Sequence, residues 1–195
     1  IDLDFAKKHN LKIARRFSGG GTVFHDMGNL NLTFIETGNN INFDHFTDRM
    51  IDLLSHFGIS ATADKRRAIN IDGLKISGSA QCIHKDRVMY HATLLFSSDL
   101  STLTKTLDGD ENAESGSKIY VKSVKSPVTN ILQHITSPVD INEFKEYTMN
   151  YFLSSEEDSC LYEFTDQDIA NIEKLRREKY MLSEWNFEAR LTKVS

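Results

Sequence analysis

The chain has 195 residues, of which 39% are apolar and 26% charged, with only 10 glycines and two prolines. That balance suits one globular domain with its own hydrophobic core and excludes a disordered or fibrous chain. The 23 basic and 28 acidic side chains leave a net charge of −5, giving no general attraction to nucleic acid, and no apolar run approaches the roughly 20 residues of a membrane span.

Residues 4–10 read as the end of a helix, and 11–15, alternating apolar and basic side chains, as a half-buried strand. After a break at 17–21, strands are expected at 22–25 and 30–36 around the turn Asp26-Met27-Gly28-Asn29. Phe43, Phe46, Met50, Leu53, Leu54 and Phe57 recur at three and four, predicting a helix over 43–57 with Asn42 as N-cap and Gly58 as its stop. Strands follow at 59–63, 69–71 and 74–77, the last two joined by Asp72-Gly73 as a hairpin turn, and a buried strand at 90–96. The spacing predicts a short helix over 101–107 capped by Ser101, a polar mobile loop from 108, and helices over 139–153 and 166–179. The last is capped by Thr165 and carries Ile169, Ile172 and Leu175 on one face. Strands and helices do not alternate regularly, so an α+β domain, a mixed sheet flanked by helices, is expected rather than a doubly wound parallel sheet.

Cys82 and Cys160 lie far apart and form no C-x-x-C pair, which reads as two buried small hydrophobes in a reducing compartment, cytoplasmic or mitochondrial matrix. Ile1 in place of Met implies that the natural N-terminus lies upstream.

Four segments carry chemistry. Residues 15–31, RRFSGGGTVFHDMGNLN, place Gly19, Gly20 and Gly21 between two expected strands. Consecutive glycines let a ligand approach the backbone and offer amide donors to a carboxylate or phosphate. Around them Arg16 supplies a bidentate donor, Ser18 a hydroxyl, His25 a ring nitrogen and Asn29 an amide. Residues 72–80, DGLKISGSA, put Lys75 on a strand running into a turn of small residues, Ser77 to Ala80, that leaves room for a ligand. Alone, Lys75 reads as a solvated lysine and His91, in Tyr90-His91-Ala92-Thr93, as a satisfied core histidine. The fourth segment is 123–130, SVKSPVTN.

In this order and spacing the four segments closely resemble the lipoate-protein ligase family, whose hallmarks read RRxSGGGxVFHDxGNxN, KxSGxA, H-[GA]-T and SVxSxVTN. A further echo lies at 184–187, EWNF. The resemblance implies a biotinyl/lipoyl-transferase, class II synthetase-like catalytic fold, with one catalytic domain over 1–195, first strands missing at the N-terminus and any accessory domain lying beyond Ser195. It implies an enzyme that uses ATP, with Mg²⁺ as its counter-ion, to convert lipoate to lipoyl-AMP. The lipoyl group then passes to a lysine of lipoyl domains, on 2-oxoacid dehydrogenase E2 subunits or the glycine cleavage H protein. Carried over by position, Lys75 is catalytic and contacts carbonyl and phosphate oxygens. Arg16, Ser18, Gly19, Gly20, Gly21, His25, Asn29, Ser79, Ala80 and His91 form the substrate and adenylate site, without a resident metal. Residues 108–122 match the family's adenylate-binding loop. The net charge of −5 offers no general complementarity to acidic lipoyl domains, so recognition is expected to be local, through Lys118, Lys122 and Lys125, the alternative being that these are simply solvated.

Where the family carries Arg-Asn-Asp, this chain reads Arg66-Arg67-Ala68, and the carboxylate is gone. That departure leaves open a lipoyltransferase using preformed lipoyl-AMP or a carrier-bound acyl group. A thioester-forming octanoyltransferase would need a cysteine nucleophile, and Cys82 lies downstream of the position expected for it. A module that binds lipoate or lipoyl domains without turnover is the alternative from another class, and it has little need for a cation at the reacting phosphate.

Overall fold

The computed structural model describes residues 1–38, 41–108, 126–155 and 157–188. Asp2 accepts the Phe5 amide to start α1 (Leu3–Lys8). The sheet is built from β1 (Asn29–Thr37), β2 (Thr62–Ala63), β3 (Ile69–Ile71), β4 (Leu74–His84) and β5 (Arg87–Leu95), in the order β1-β5-β4-β3-β2. All four pairings are antiparallel, and a parallel bridge between Lys75 and Val128 makes the sheet mixed. Asp72 and Gly73 both take positive φ, 50° and 79°, which closes the two-residue turn between β3 and β4 with the twist that antiparallel strands require.

Helix α2 (Phe43–Ser55) begins where the Asn42 side chain accepts the Asp44 amide, and it buries Phe46, Met50, Leu53 and Leu54 completely. Phe46 stacks between Phe34 and Tyr90 at 5.1 Å from each ring centroid, and the Thr47 and Tyr90 hydroxyls share a buried hydrogen bond of 2.9 Å. Helix α4 (Ile141–Ser154), opened by an Asp140–Glu143 capping box, stacks Phe144 on Phe96 at 4.6 Å. Both helices and the even-numbered residues Tyr90, Ala92 and Leu94 of β5 belong to one core. Because side chains alternate across a strand, the odd-numbered residues of β5 face the other way.

Several expectations are corrected. Residues 11–15 and 22–25 are not strands. Burial alternates through Leu11, Ile13 and Arg15 as a strand's would, but the Arg15 amide and carbonyl bond to the side chains of Asn186 and Trp185 instead of a neighbouring strand. The expected turn of small residues is the middle of β4, where Ser77 to Ala80 pair with Leu94 to His91. The strand expected at 59–63 is confined to β2. Helix α3 (Leu100–Leu107) is capped by Asp99, which accepts the Ser101 and Thr102 amides; Ser101 is itself inside the helix. Helix α5 (Asp166–Leu175) does start at Thr165, but it ends at Leu175, followed by π-helical turns at Arg176–Tyr180 and Glu184–Glu188, and Ile169, Ile172 and Leu175 stand about half exposed. Cys82 is only partly buried and Cys160 is exposed, so neither is a core residue. Beyond Asp108, the loop expected over 108–122 lies outside the described residues, as do Lys118, Lys122 and Lys125. Among the described residues no helix is long and apolar enough to cross a membrane.

Candidate active site

The face of the sheet turned away from α2 and α4 forms the floor of a cavity of about 710 Å³. The register sets out its rows: Asn31, Thr93 and Gly78 side by side, then Thr33, His91 and Ala80. The chain from Arg16 to His25 forms one wall, and Asp64, Arg66 and Tyr180 line other parts. Of the residues singled out in the sequence, Arg16, Ser18, Gly20, Gly21, His25, Lys75, Ser79, Ala80 and His91 border this one space. Gly19 and Asn29 do not border it.

The glycine run is folded around an arginine. Arg16 donates from Nε and Nη2 to the Gly19 carbonyl, at 3.0 and 2.6 Å, and from Nη2 to the Gly21 carbonyl at 2.8 Å. Gly20 takes φ +98°, and a Cβ there would lie 2.6 Å from Arg16 Nη2 and 3.0 Å from Ala80 Cβ. Only glycine accepts both that dihedral and that proximity. Part of the guanidinium expected to reach a ligand therefore shapes the loop instead.

Two histidines face this loop. Ser18, nearly buried, hydrogen bonds through Oγ to His91 Nε2 at 2.6 Å. Asn31 donates from Nδ2 to His25 Nδ1 at 3.0 Å and accepts from the Thr93 hydroxyl at 2.9 Å. With the amide so oriented, neutral His25 carries its proton on Nε2. Burial, and then the Arg16 charge, hold the His25 pKa below the ordinary imidazole value, against an opposing pull from Asp26. Burial, then Arg16, then His25 do the same to His91. Both rings are thus neutral in the neutral pH range.

Lys75 borders the same cavity from β4. Its amide donates to the Pro127 carbonyl at 2.8 Å and its carbonyl accepts the Thr129 amide at 3.1 Å, so the fourth sequence segment fixes the lysine backbone on both sides. A Cβ on Gly78 would lie 3.3 Å from Lys75 Cε and Nζ, which shows the side chain lying over that glycine. Asn130 closes the same region by pairing with both backbone groups of Ser98, at 3.0 and 2.9 Å.

Asn29 orders the site from outside. Its Oδ1 accepts the Asp26 amide at 2.7 Å, while Asp26 accepts the amides of Gly28 and Asp99. The Gly28 carbonyl takes the amides of Phe96 and Ser97. At the departure from the family pattern, Arg67 has φ +61° and turns to Asp44, 2.6 Å away, and to the Phe43 ring. Ala68 is buried, and Asp64 accepts the amides of Arg66 and Ala68 through Oδ1. The sequence reading missed Asn31 and Thr93, although both fall inside the quoted segments, and it missed Tyr180, which no local pattern marks.

A sheet with helices on one face and a cavity on the other, bordered by both an arginine-wrapped glycine loop and a lysine, is the catalytic fold of the lipoyl protein ligases. Residues 1–153 match the family model described as the lipoyl protein ligase A/B catalytic domain, and the chain belongs to that family. It is 37% identical over 190 residues to lipoate–protein ligase 1 of Staphylococcus aureus, covering 96% of this chain and 57% of that one. It is similar in fold to a bipartite lipoate protein ligase of Thermoplasma acidophilum, with a TM-score of 0.75 and 23% identity, covering all of this chain and 77% of that one. It is similar also to P. falciparum LipL1 solved in complex with lipoate, with a TM-score of 0.73 and 25% identity over 98% of this chain and 55% of that one. The chain thus spans a little over half the length of the curated relatives it matches.

Proposed function

We propose that the chain is the catalytic portion of a lipoate-protein ligase, which activates lipoate with ATP and transfers the lipoyl group to a lysine of a lipoyl domain. The observation that carries this reading is that Lys75 and the arginine-wrapped glycine loop border one cavity, Lys75 lying over Gly78 and Gly20 packing on Ala80. Family membership and the name of the S. aureus relative support it, as does the lipoate held by the P. falciparum one.

In the first half-reaction a lipoate carboxylate oxygen attacks the α-phosphorus of ATP, and pyrophosphate leaves. Negative charge grows on the phosphate oxygens, and Lys75, which borders the cavity, is the cation assigned to meet it. In the second, the neutral amine of an acceptor lysine attacks the mixed-anhydride carbonyl, AMP leaves, and the amine loses a proton. Lys75 and the neutral His25 Nε2–H are the candidate donors to the transient oxyanion. Phe17, Val23 and Met89 give the cavity an apolar portion suited to the acyl chain. Acceptors are lipoyl domains such as those of E2 subunits and the glycine cleavage H protein. Mg²⁺ enters as the counter-ion of ATP. Among the described residues Asp64 is the one carboxylate bordering the cavity, and it would be the group to meet an ion carried in by the ATP phosphates; no step here runs through that ion.

Ala68 favours a second reading. With its carboxylate replaced by a buried methyl group and Arg67 turned to Asp44, the chain would act as a lipoyltransferase on preformed lipoyl-AMP. Protein mixed with ATP, lipoate and a lipoyl domain distinguishes the two. Pyrophosphate release with a lipoylated acceptor supports the ligase, and modification only from supplied lipoyl-AMP supports the transferase. An acceptor unmodified under both conditions overturns both. Lys75→Ala is expected to lower turnover roughly 10²- to 10³-fold, the loss usual for one oxyanion donor, measured as lipoylated acceptor by mass spectrometry.

A further inference from the structure

We infer that the turn spanning residues 179–186 is a clamp on the glycine loop, with Trp185 and Asn186 as positioning residues that set how tightly the cavity holds its acyl ligand. Three hydrogen bonds join this turn to Arg15, the residue before the arginine that wraps the glycines. The Arg15 amide donates to Asn186 Oδ1 at 2.8 Å, the Trp185 indole N–H donates to the Arg15 carbonyl at 2.8 Å, and Arg15 Nε reaches the Asn186 carbonyl at 3.3 Å. Among the described residues, backbone hydrogen bonds between 12 and 17 are made at Arg15 alone. The approach to the loop is therefore held by side chains about 170 positions away rather than by the sheet.

The other end of the clamp reaches the cavity wall. Asn186 Nδ2 donates to the carbonyl of Tyr180, which borders the cavity, so one amide ties Arg15 to Tyr180. Between them, Lys179 Nζ lies 4.1 Å over the Trp185 ring and 5.1 Å over Phe17, a cation between two aromatic faces. The turn lies beyond residue 153, where the family model's match ends.

The inference rests on the proposed function only for the identity of the ligand. Trp185→Phe keeps a ring beside Lys179 and removes the indole donor to Arg15; Asn186→Ala removes the amide that joins Arg15 to Tyr180. In both variants, hydrogen exchange of the Arg15 amide is expected to accelerate about tenfold while β4 and β5 keep their protection, the change expected from losing one or two net hydrogen bonds. Lipoate affinity, measured by calorimetry, is expected to fall about tenfold, with a rise in KM for lipoate that exceeds the fall in kcat. Trp185 is the chain's single tryptophan, so its fluorescence in the unmodified protein is expected to change when lipoate is added. Wild-type exchange of the Arg15 amide in Asn186→Ala, loss of protection spread through β4 and β5, or unchanged lipoate affinity in a variant whose parent binds lipoate would each overturn the clamp. If the parent binds neither lipoate nor ATP, the functional reading fails, and the exchange measurement still decides the clamp.

Discussion

Gly78 occupies the middle of a paired strand, where glycine ordinarily weakens a sheet because it has no side chain to pack. Its place is explained by the neighbour that lies across it: Lys75 occupies the space in which a side chain would stand. Gly78→Ala should push the ammonium aside by a few tenths of an ångström while leaving the ladder intact. We expect turnover to fall about tenfold, since small misplacements of a charge-stabilising group are costly, with the midpoint of thermal unfolding nearly unchanged. Steady-state transfer assays beside calorimetric melts would check it, and a variant with full activity would mean that the lysine tolerates the displacement. The same logic separates Arg16 from its reading in the sequence. A guanidinium beside three glycines suggested a ligand donor, but three of its contacts go to the loop's own carbonyls.

At the scale of elements, the turn before β1 is the most tightly packed part of the site's frame. Gly28 lies so close to the Ser97–Ser98 backbone that a Cβ would approach it to 2.4 Å, and backbone cannot swing away as a side chain can. Gly28→Ala should therefore cost about 3 kcal/mol, at the upper end for overpacking, and weaken the site by displacing His25 and Asn29 together. Denaturant unfolding reads the first effect and lipoate binding the second. Most helices and turns were legible from sequence: the stripe Phe43 to Phe57, the caps Asn42 and Thr165, and the Asp72-Gly73 hairpin each follow from local spacing and local dihedral preference. Residues 11–15 show the limit of that reading. Alternation predicts which side chains are half buried, but a strand also needs a partner backbone, and Arg15 has side chains of the C-terminal turn instead. Ser77 to Ala80 show the converse, small residues that look like a turn and become a strand because β5 lies alongside.

For the molecule as a whole, the two histidines link stability to pH. Each has its folded pKa depressed, so the unfolded chain binds the proton more readily. Stability from this source is complete above the ordinary imidazole value, about 6.5, and is lost as the pH falls below it toward the depressed folded values. Melting temperature should therefore decline as the pH falls below about 6.5, and the decline should flatten in a His25→Gln/His91→Gln variant. Acidification also places positive charge beside Arg16, which alters the site for an anionic ligand over the same range. An unchanged slope in the double variant would assign the acid sensitivity to other groups.

What the chain determined by itself was the inventory: the helical stripes, the caps and turns, the glycine run and its companion residues, and the four ordered segments that resemble one family. These are short-range properties, set by side-chain periodicity and backbone dihedral preference, and they survive without knowledge of what lies opposite. Tertiary structure decided which of those groups meet. It placed Lys75 over Gly78, turned Arg16 toward its own loop, aligned Asn31 and Thr93 behind His25, and brought Trp185 and Asn186 across the chain to Arg15. Hydrogen bonds and charge interactions depend on distance in space; the Thr93–Asn31 and Arg15–Asn186 contacts span 62 and 171 positions, and separations of that size leave no trace in local pattern.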